Sequence, residues 1–260
     1  MPFALEAGIV HAADGPQEFS LFNTNTGKTV KVNLEVLNGR AATLGDVELP
    51  GVAGTGSAIT LSYPNPAGSR TAGLLPTGAH TTTFDDDGRA ITVSLVDSTL
   101  PVVIVRANDI GLSGTELPAD IDDNKPVMAL LERLRQAGAQ AMGFSTCPEV
   151  VPKIAVVAPP QNSTILDGSE LAADSVDIMV RMISMGKAHL AVPGTGAMCL
   201  AAAAVPGTVV SEITGERTTV RLGTPSGAVI AAAHYEEKEL TSTSLIRTAR
   251  ILMRGQVPLD

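Results

Sequence analysis

Apolar and polar residues alternate along the first part of the chain. Between Glu18 and Val36, Phe19 and Leu21 and then Val30, Val32, Leu34 and Val36 share one face of an extended backbone. The Asn25-Thr26-Gly27 triplet lies between the two runs, so the pattern predicts a β-hairpin. Further short apolar runs predict strands over 58–63, 90–96 and 102–106. The period then changes. Over 122–140, Val127, Leu130, Leu131 and Leu134 recur at helical spacing behind an Asp/Asn start with Pro126 in the first turn, which predicts an amphipathic surface helix. Beyond it the pattern predicts strands over 153–158 and 178–184, an Ala-rich helix over 195–205, and strands over 208–213, 218–222, 228–234 and 244–252. The chain thus divides into a strand-rich part (1–107), a helical connector (108–150) and a strand-wrapped helix (151–260).

Composition adds exclusions. With 260 residues, 44% of them hydrophobic and 17% charged, the chain can bury one large core or two modest ones. Twenty-five Gly and 17 Pro, with no Trp, suit many short strands and turns. A net charge of −9 without a Lys/Arg cluster argues against nucleic acid as a partner. No apolar run reaches the roughly 18–20 residues that a membrane-crossing helix needs, and no leader pattern is evident, so a cytoplasmic, membrane-free protein is expected. Cys147 and Cys199 have no metal-ligand spacing and suit a reducing compartment. Cys199 reads as a small packing residue and Cys147 as a loop thiol with no local cation, so neither is given a catalytic role. Asp85-Asp86-Asp87 reads as a solvated turn rather than a metal loop, and Gly54-Thr55-Gly56 lacks the rest of a dinucleotide fingerprint. No metal site is expected.

The candidate chemistry lies where Val192-Pro193-Gly194-Thr195-Gly196-Ala197 opens into the Ala-rich helix. The first turn of a helix leaves N–H groups without intrahelical partners, the helix dipole adds roughly half a positive charge there, and glycines let a carboxylate or phosphate come close. The other reading of the same residues is a buried helix with a glycine turn for close packing. His189, five residues before Gly194, is a candidate donor or acid–base group, against a structural histidine at a strand end. Gly68-Ser69-Arg70-Thr71 offers Ser69 and an arginine suited to bidentate carboxylate recognition, against an exposed hairpin loop. Thr224-Pro225-Ser226-Gly227 offers the Ser226 hydroxyl and the Gly227 N–H, against a plain turn between two strands. Lys153 follows Pro152 at a strand start and faces solvent, or pairs with a diacid at a cleft edge.

The ordered set of motifs resembles the PrpF-type isomerases. It runs from Asn23-Thr24-Asn25-Thr26-Gly27-Lys28 through Asp46-Val47-Glu48-Leu49-Pro50-Gly51-Val52, Asn65-Pro66-Ala67-Gly68-Ser69-Arg70-Thr71 and Leu74-Leu75-Pro76-Thr77-Gly78 to Val151-Pro152-Lys153-Ile154-Ala155-Val156-Val157-Ala158-Pro159-Pro160. Asp177-Ile178-Met179-Val180-Arg181-Met182-Ile183-Ser184-Met185-Gly186-Lys187-Ala188-His189, the Gly-Thr-Gly helix start, Val220-Arg221-Leu222-Gly223-Thr224-Pro225-Ser226-Gly227 and Arg247-Thr248-Ala249-Arg250-Ile251-Leu252-Met253-Arg254-Gly255 continue it. That family includes methylaconitate and 3-methylitaconate isomerases and 4-oxalomesaconate tautomerase. The resemblance implies an α+β, diaminopimelate epimerase-like fold, in which two pseudo-symmetric domains each wrap a sheet around a central helix. The first domain is expected to be incomplete, because members carry a longer N-terminus holding a catalytic cysteine and lysine, and these would precede Met1.

The implied activity is a cofactor-independent allylic double-bond shift or tautomerisation, a 1,3-proton transfer, on a small unsaturated di- or tricarboxylate. The resemblance places Ser226 and Gly227 beside the start of the Ala-rich helix. Where the amino-acid epimerases of this fold open that helix with a cysteine, this chain has Pro193, so two-thiol racemisation is not expected. The expectation for this chain alone is no turnover, and the alternative function is a non-catalytic carboxylate-binding or structural fragment. An uncovered apolar sheet surface would favour association into a homo-oligomer.

Overall fold

The computed structural model describes residues 1–24 and 27–255. The expected hairpin turn at Asn25 and Thr26 lies outside the described residues. The chain clusters into two compact units, residues 1–62 with 246–260, and residues 63–245.

In the first unit a short helix α1 (Pro2–Glu6) precedes strands β1 (Gly15–Asn23) and β2 (Lys28–Leu37), which form the expected antiparallel hairpin with Phe19 opposite Val32. Val30, Val32, Leu34 and Val36 are buried and the alternate positions are not, as a half-buried strand requires. β3 (Ile59–Pro64) pairs with β2, Leu61 opposite Val32.

The second unit is built on β4 (Thr82–Asp86), β5 (Arg89–Ser98), β6 (Leu100–Arg106), the helices α2 (Pro118–Asp123) and α3 (Lys125–Ala141), β7 (Lys153–Ala158), β8 (Ile178–Ser184), the two-residue β9 (Lys187–Ala188), α4 (Gly194–Ala202), α5 (Val209–Thr214), β10 (Thr219–Thr224), β11 (Gly227–Glu236) and β12 (Glu239–Arg247). Its sheet runs β12-β11-β10-β8-β7-β6-β5-β4, mixed in direction, with β6 and β7 parallel (Val103 opposite Ile154) and β8 and β10 parallel (Ile178 opposite Leu222). With few helices against a mixed sheet, the architecture is α+β.

Strand alternation assigns the two faces of this sheet. One carries Val93, Leu95, Val103, Val105, Ile154, Val156 and Ile183, which pack against Val127, Leu130, Leu131 and Leu134 of α3, the apolar stripe expected from the sequence. Pro126 lies in the first turn of α3, and Asn124 caps it by accepting the Val127 N–H at 3.3 Å. The other face holds α4 against β5, β6, β10 and β11. Gly196 through Ala202 are buried, and the small side chains of Gly196, Ala197, Cys199, Ala201 and Ala202 let the strands come close to the helix.

Three element boundaries differ from the sequence pattern. The segment expected as a strand over 208–213 is helix α5, because Thr208 Oγ1 accepts the Ser211 N–H and Ser211 Oγ accepts the Thr208 N–H, both at 3.1 Å, forming a reciprocal helix cap. Buried Val209 and Val210 gave a β-like pattern, but the cap sets the local conformation. The Thr208 hydroxyl also donates to the Ala203 carbonyl at 2.5 Å just beyond α4, which ends at Ala202 rather than reaching Val205. The last strand ends at Arg247, not Leu252.

Candidate functional site

The first turn of α4 has no side-chain cap, because its N-cap is Pro193, which has neither an acceptor side chain nor an N–H. The first intrahelical bond to reach back is Ala197 N–H to the Pro193 carbonyl at 2.9 Å, so the N–H groups of Gly194, Thr195 and Gly196 precede the helical ladder. Gly194 and Thr195 are half-buried, whereas Gly196 is buried. A Cβ on Gly196 would lie 2.7 Å from Met182 Sδ and Cε, so α4 packs closely on β8 at this glycine. Both readings of the glycine run therefore have a share: Gly196 serves packing, and Gly194-Thr195 presents open backbone donors.

One segment bonds this turn directly, and two others are tied to it through neighbouring residues. Thr99, with a left-handed φ of 63°, sits in the β5–β6 turn and donates its hydroxyl to the Thr195 carbonyl at 2.8 Å. Two residues earlier the fully buried Asp97 gathers the 68–71 loop: Ser69 Oγ donates to it at 2.5 Å, Arg70 N–H at 2.8 Å and Thr71 Oγ1 at 2.9 Å. Ser69 and the Arg70 backbone are thus tied to the turn that contacts α4, while the Arg70 side chain is exposed. On the other flank Ser226 Oγ donates to the Leu190 carbonyl at 2.6 Å, which holds the β10–β11 turn against the segment leading into α4. Gly227 occupies that turn with φ 122°, and its carbonyl accepts the Thr224 hydroxyl at 2.8 Å.

His189 donates its backbone N–H to the Met182 carbonyl at 2.8 Å, and Met182 is the residue that touches Gly196. Its Nε2 is buried without a hydrogen-bond partner among the described residues. Burial, and then the positive charge of Lys153, hold the imidazole below its ordinary pKa, which keeps it neutral at pH 7. Lys153 in turn donates to Ser184 Oγ at 2.5 Å.

The two cysteines stand apart from this chemistry. Cys199 is fully buried in α4, its thiol pKa is pushed up by burial, and its Sγ lies 3.6 Å from the Val96 carbonyl. It is a packing residue, as expected. Cys147 is half-buried in the loop before β7. Among the described residues no group of three or more His, Cys, Asp or Glu side chains could hold a metal ion, and no helix is long and apolar enough to cross a membrane. Asp97, Thr99 and Ser184 were not read as site residues from the sequence. The only local signal was a polar residue at the end of an apolar strand run.

The PrpF protein family model matches residues 1–260, which include the Gly-Thr-Gly helix start and the β5–β6 and β10–β11 turns. The chain belongs to the PrpF family. It is 32% identical over 271 residues to 3-methylitaconate isomerase of Eubacterium barkeri, covering 100% of this chain and 71% of that one. It is 34% identical over 276 residues to 2-methyl-aconitate isomerase of Shewanella oneidensis, covering 98% and 70%. The crystal structure of methylitaconate-delta-isomerase superposes with a TM-score of 0.88 at 32% identity, over 98% of this chain and 69% of that one. The expected α+β architecture and the isomerase class stand with these relatives.

Proposed function

We propose that this PrpF-family chain binds a small unsaturated di- or tricarboxylate at the start of α4 and takes part in its allylic double-bond shift or tautomerisation. The observation that carries the reading is the uncapped first turn at Gly194-Thr195-Gly196, with the Thr99 hydroxyl bonded to the Thr195 carbonyl and the Ser226 hydroxyl bonded to Leu190 in the segment that leads into the helix. A substrate carboxylate placed there draws electron density from the carbon that loses its proton, and fixed N–H dipoles stabilise the dienolate charge that develops. Ser226, Gly227, Ser69 and Arg70 border the bound acid in this proposal. His189 is the acid–base group that this unit supplies, since a neutral imidazole with an unpaired Nε2 can accept or return a proton. The names of the relatives, which specify methylitaconate and 2-methyl-aconitate, support the substrate class.

The rest of the proposal concerns partners. The net charge of −9 and the ion pairing of Arg106, Arg133, Arg217 and Arg221 support a small acid rather than nucleic acid. The two free cysteines support the cytoplasm. Exposed Phe3, Leu252 and Met253 support self-association.

Citrate titrated against the amide NMR spectrum tests the site. The shifts of Gly194, Thr195 and Gly196 should move first. Saturable shifts confined to other segments would reject it.

A further inference from the structure

Lys153 is a half-buried ammonium with no carboxylate beside it. Among the described residues it makes no ion pair, its Nζ donates to Ser184 Oγ at 2.5 Å, and burial alone holds its pKa below the usual lysine value. A cation partly withdrawn from water without a counter-charge is costly, and an anion arriving from solution lowers that cost. The neighbouring groups have the same polarity. Ser184, which accepts from Lys153, keeps its own hydroxyl proton free to donate, and His189 has a buried Nε2 without a partner.

Their position follows from the strands. Ile154, Val156 and Ala158 of β7 and Ile183 of β8 belong to the core under α3, so Lys153 and Ser184 face the opposite side of the sheet. That is the side of α4, because Met182, two residues before Ser184, meets Gly196. At about 3.3 Å of rise per residue, Ser184 lies roughly 6–7 Å along the strand from the residue that touches the first turn of α4. Both sets of donors thus lie on one face of the sheet, two residues apart along β8.

We infer that Lys153, with Ser184 and His189, forms a second carboxylate subsite, which takes the other carboxylate of a diacid whose first carboxylate rests on the start of α4. The inference rests on the α4 reading above and adds a selectivity to it: the site discriminates diacids from monoacids. No covalent step is involved. Lys153 supplies the charge, the Ser184 hydroxyl supplies a directional donor, and His189 borders the carboxylate.

The test is a calorimetric and amide-NMR titration of the full chain with itaconate, which has two carboxylates, and with methacrylate, which has one. The wild-type protein should bind itaconate the more tightly, with shifts at Ser184 and His189 as well as at α4, and methacrylate should move α4 alone. Lys153→Met should weaken itaconate roughly ten-fold while leaving methacrylate within about two-fold, and Lys153→Arg should restore most of the diacid affinity. A Lys153→Met protein that binds itaconate like the wild type, or that loses both acids equally with unchanged thermal unfolding, would overturn the subsite. Should that variant not fold, the wild-type shifts decide: itaconate moving α4 but neither Ser184 nor His189 rejects the subsite alone. Absence of α4 shifts with either acid rejects the α4 reading instead.

Discussion

Asp97 has a buried carboxylate that serves three donors from one loop, and among the described residues no arginine or lysine side chain is bonded to it. Hydrogen bonds to a charged acceptor are the stronger class, and removing the acceptor leaves its part-buried donors unpaired. Asp97→Ala should therefore cost about 2–4 kcal/mol in urea-induced unfolding. Asp97→Asn, which keeps the volume and one acceptor oxygen, should cost less. Faster hydrogen exchange over 68–74 should accompany the loss, because the loop has lost its anchor. A stability within about 0.5 kcal/mol of wild type would show that the loop is held by something else. This residue also marks the limit of reading the sequence. Its partners lie 26 to 28 positions away, and no periodicity links a strand-end aspartate to a distant Gly-Ser-Arg-Thr loop.

At the scale of elements, the strands and α3 were legible because burial follows their period. Val127, Leu130, Leu131 and Leu134 are all buried, as the helical spacing predicts. Helix α5 was not, because two adjacent valines read as strand while a three-residue side-chain cap decided the conformation. Helix α3 offers a test in which propensity and packing oppose each other. Replacing a helical glycine by alanine ordinarily stabilises by about 1 kcal/mol. In Gly138→Ala, however, the new Cβ would lie 2.4 Å from Val103 Cγ2 and 3.2 Å from Leu95 Cδ2. Val103 is fully buried on β6 and β-branched, so it has no alternative rotamer to retreat into. Overpacking of this kind costs about 1–3 kcal/mol, which outweighs the helix gain. Gly138→Ala should thus melt below the wild type in calorimetry, and a melting temperature equal or higher would contradict the packing of α3 on β6.

For the whole molecule, the charge balance sets a pH dependence that the composition alone leaves without a mechanism. The chain carries −9 at pH 7 with an isoelectric point near 4.9, so acidification passes through neutrality while its carboxylates are being protonated. Asp177 is the carboxylate with most to lose. Burial pushes its pKa up, but bonds from the Arg221 side chain, the Arg221 N–H and Arg217 outweigh that and bring it down from 3.8 to about 2. A folded-state value below the unfolded one means that the group stabilises the fold above about pH 4 and that this contribution is lost as the pH falls towards 2. Because Arg217 and Arg221 are 38% and 41% exposed, solvent screening reduces the contribution to about 1–2 kcal/mol. Glu116 and Glu132 are also held below the usual glutamate value, so the wild type should lose stability on acidification whatever Asp177 does. The informative quantity is then a difference. Asp177→Asn keeps the shape and removes the charge, so its deficit against wild type should be largest at pH 7 and shrink as the pH is lowered through 4 towards 2. A deficit of constant size across that range would mean that the hydrogen-bond geometry at Asp177, and not its ionisation, holds β10 to the start of β8.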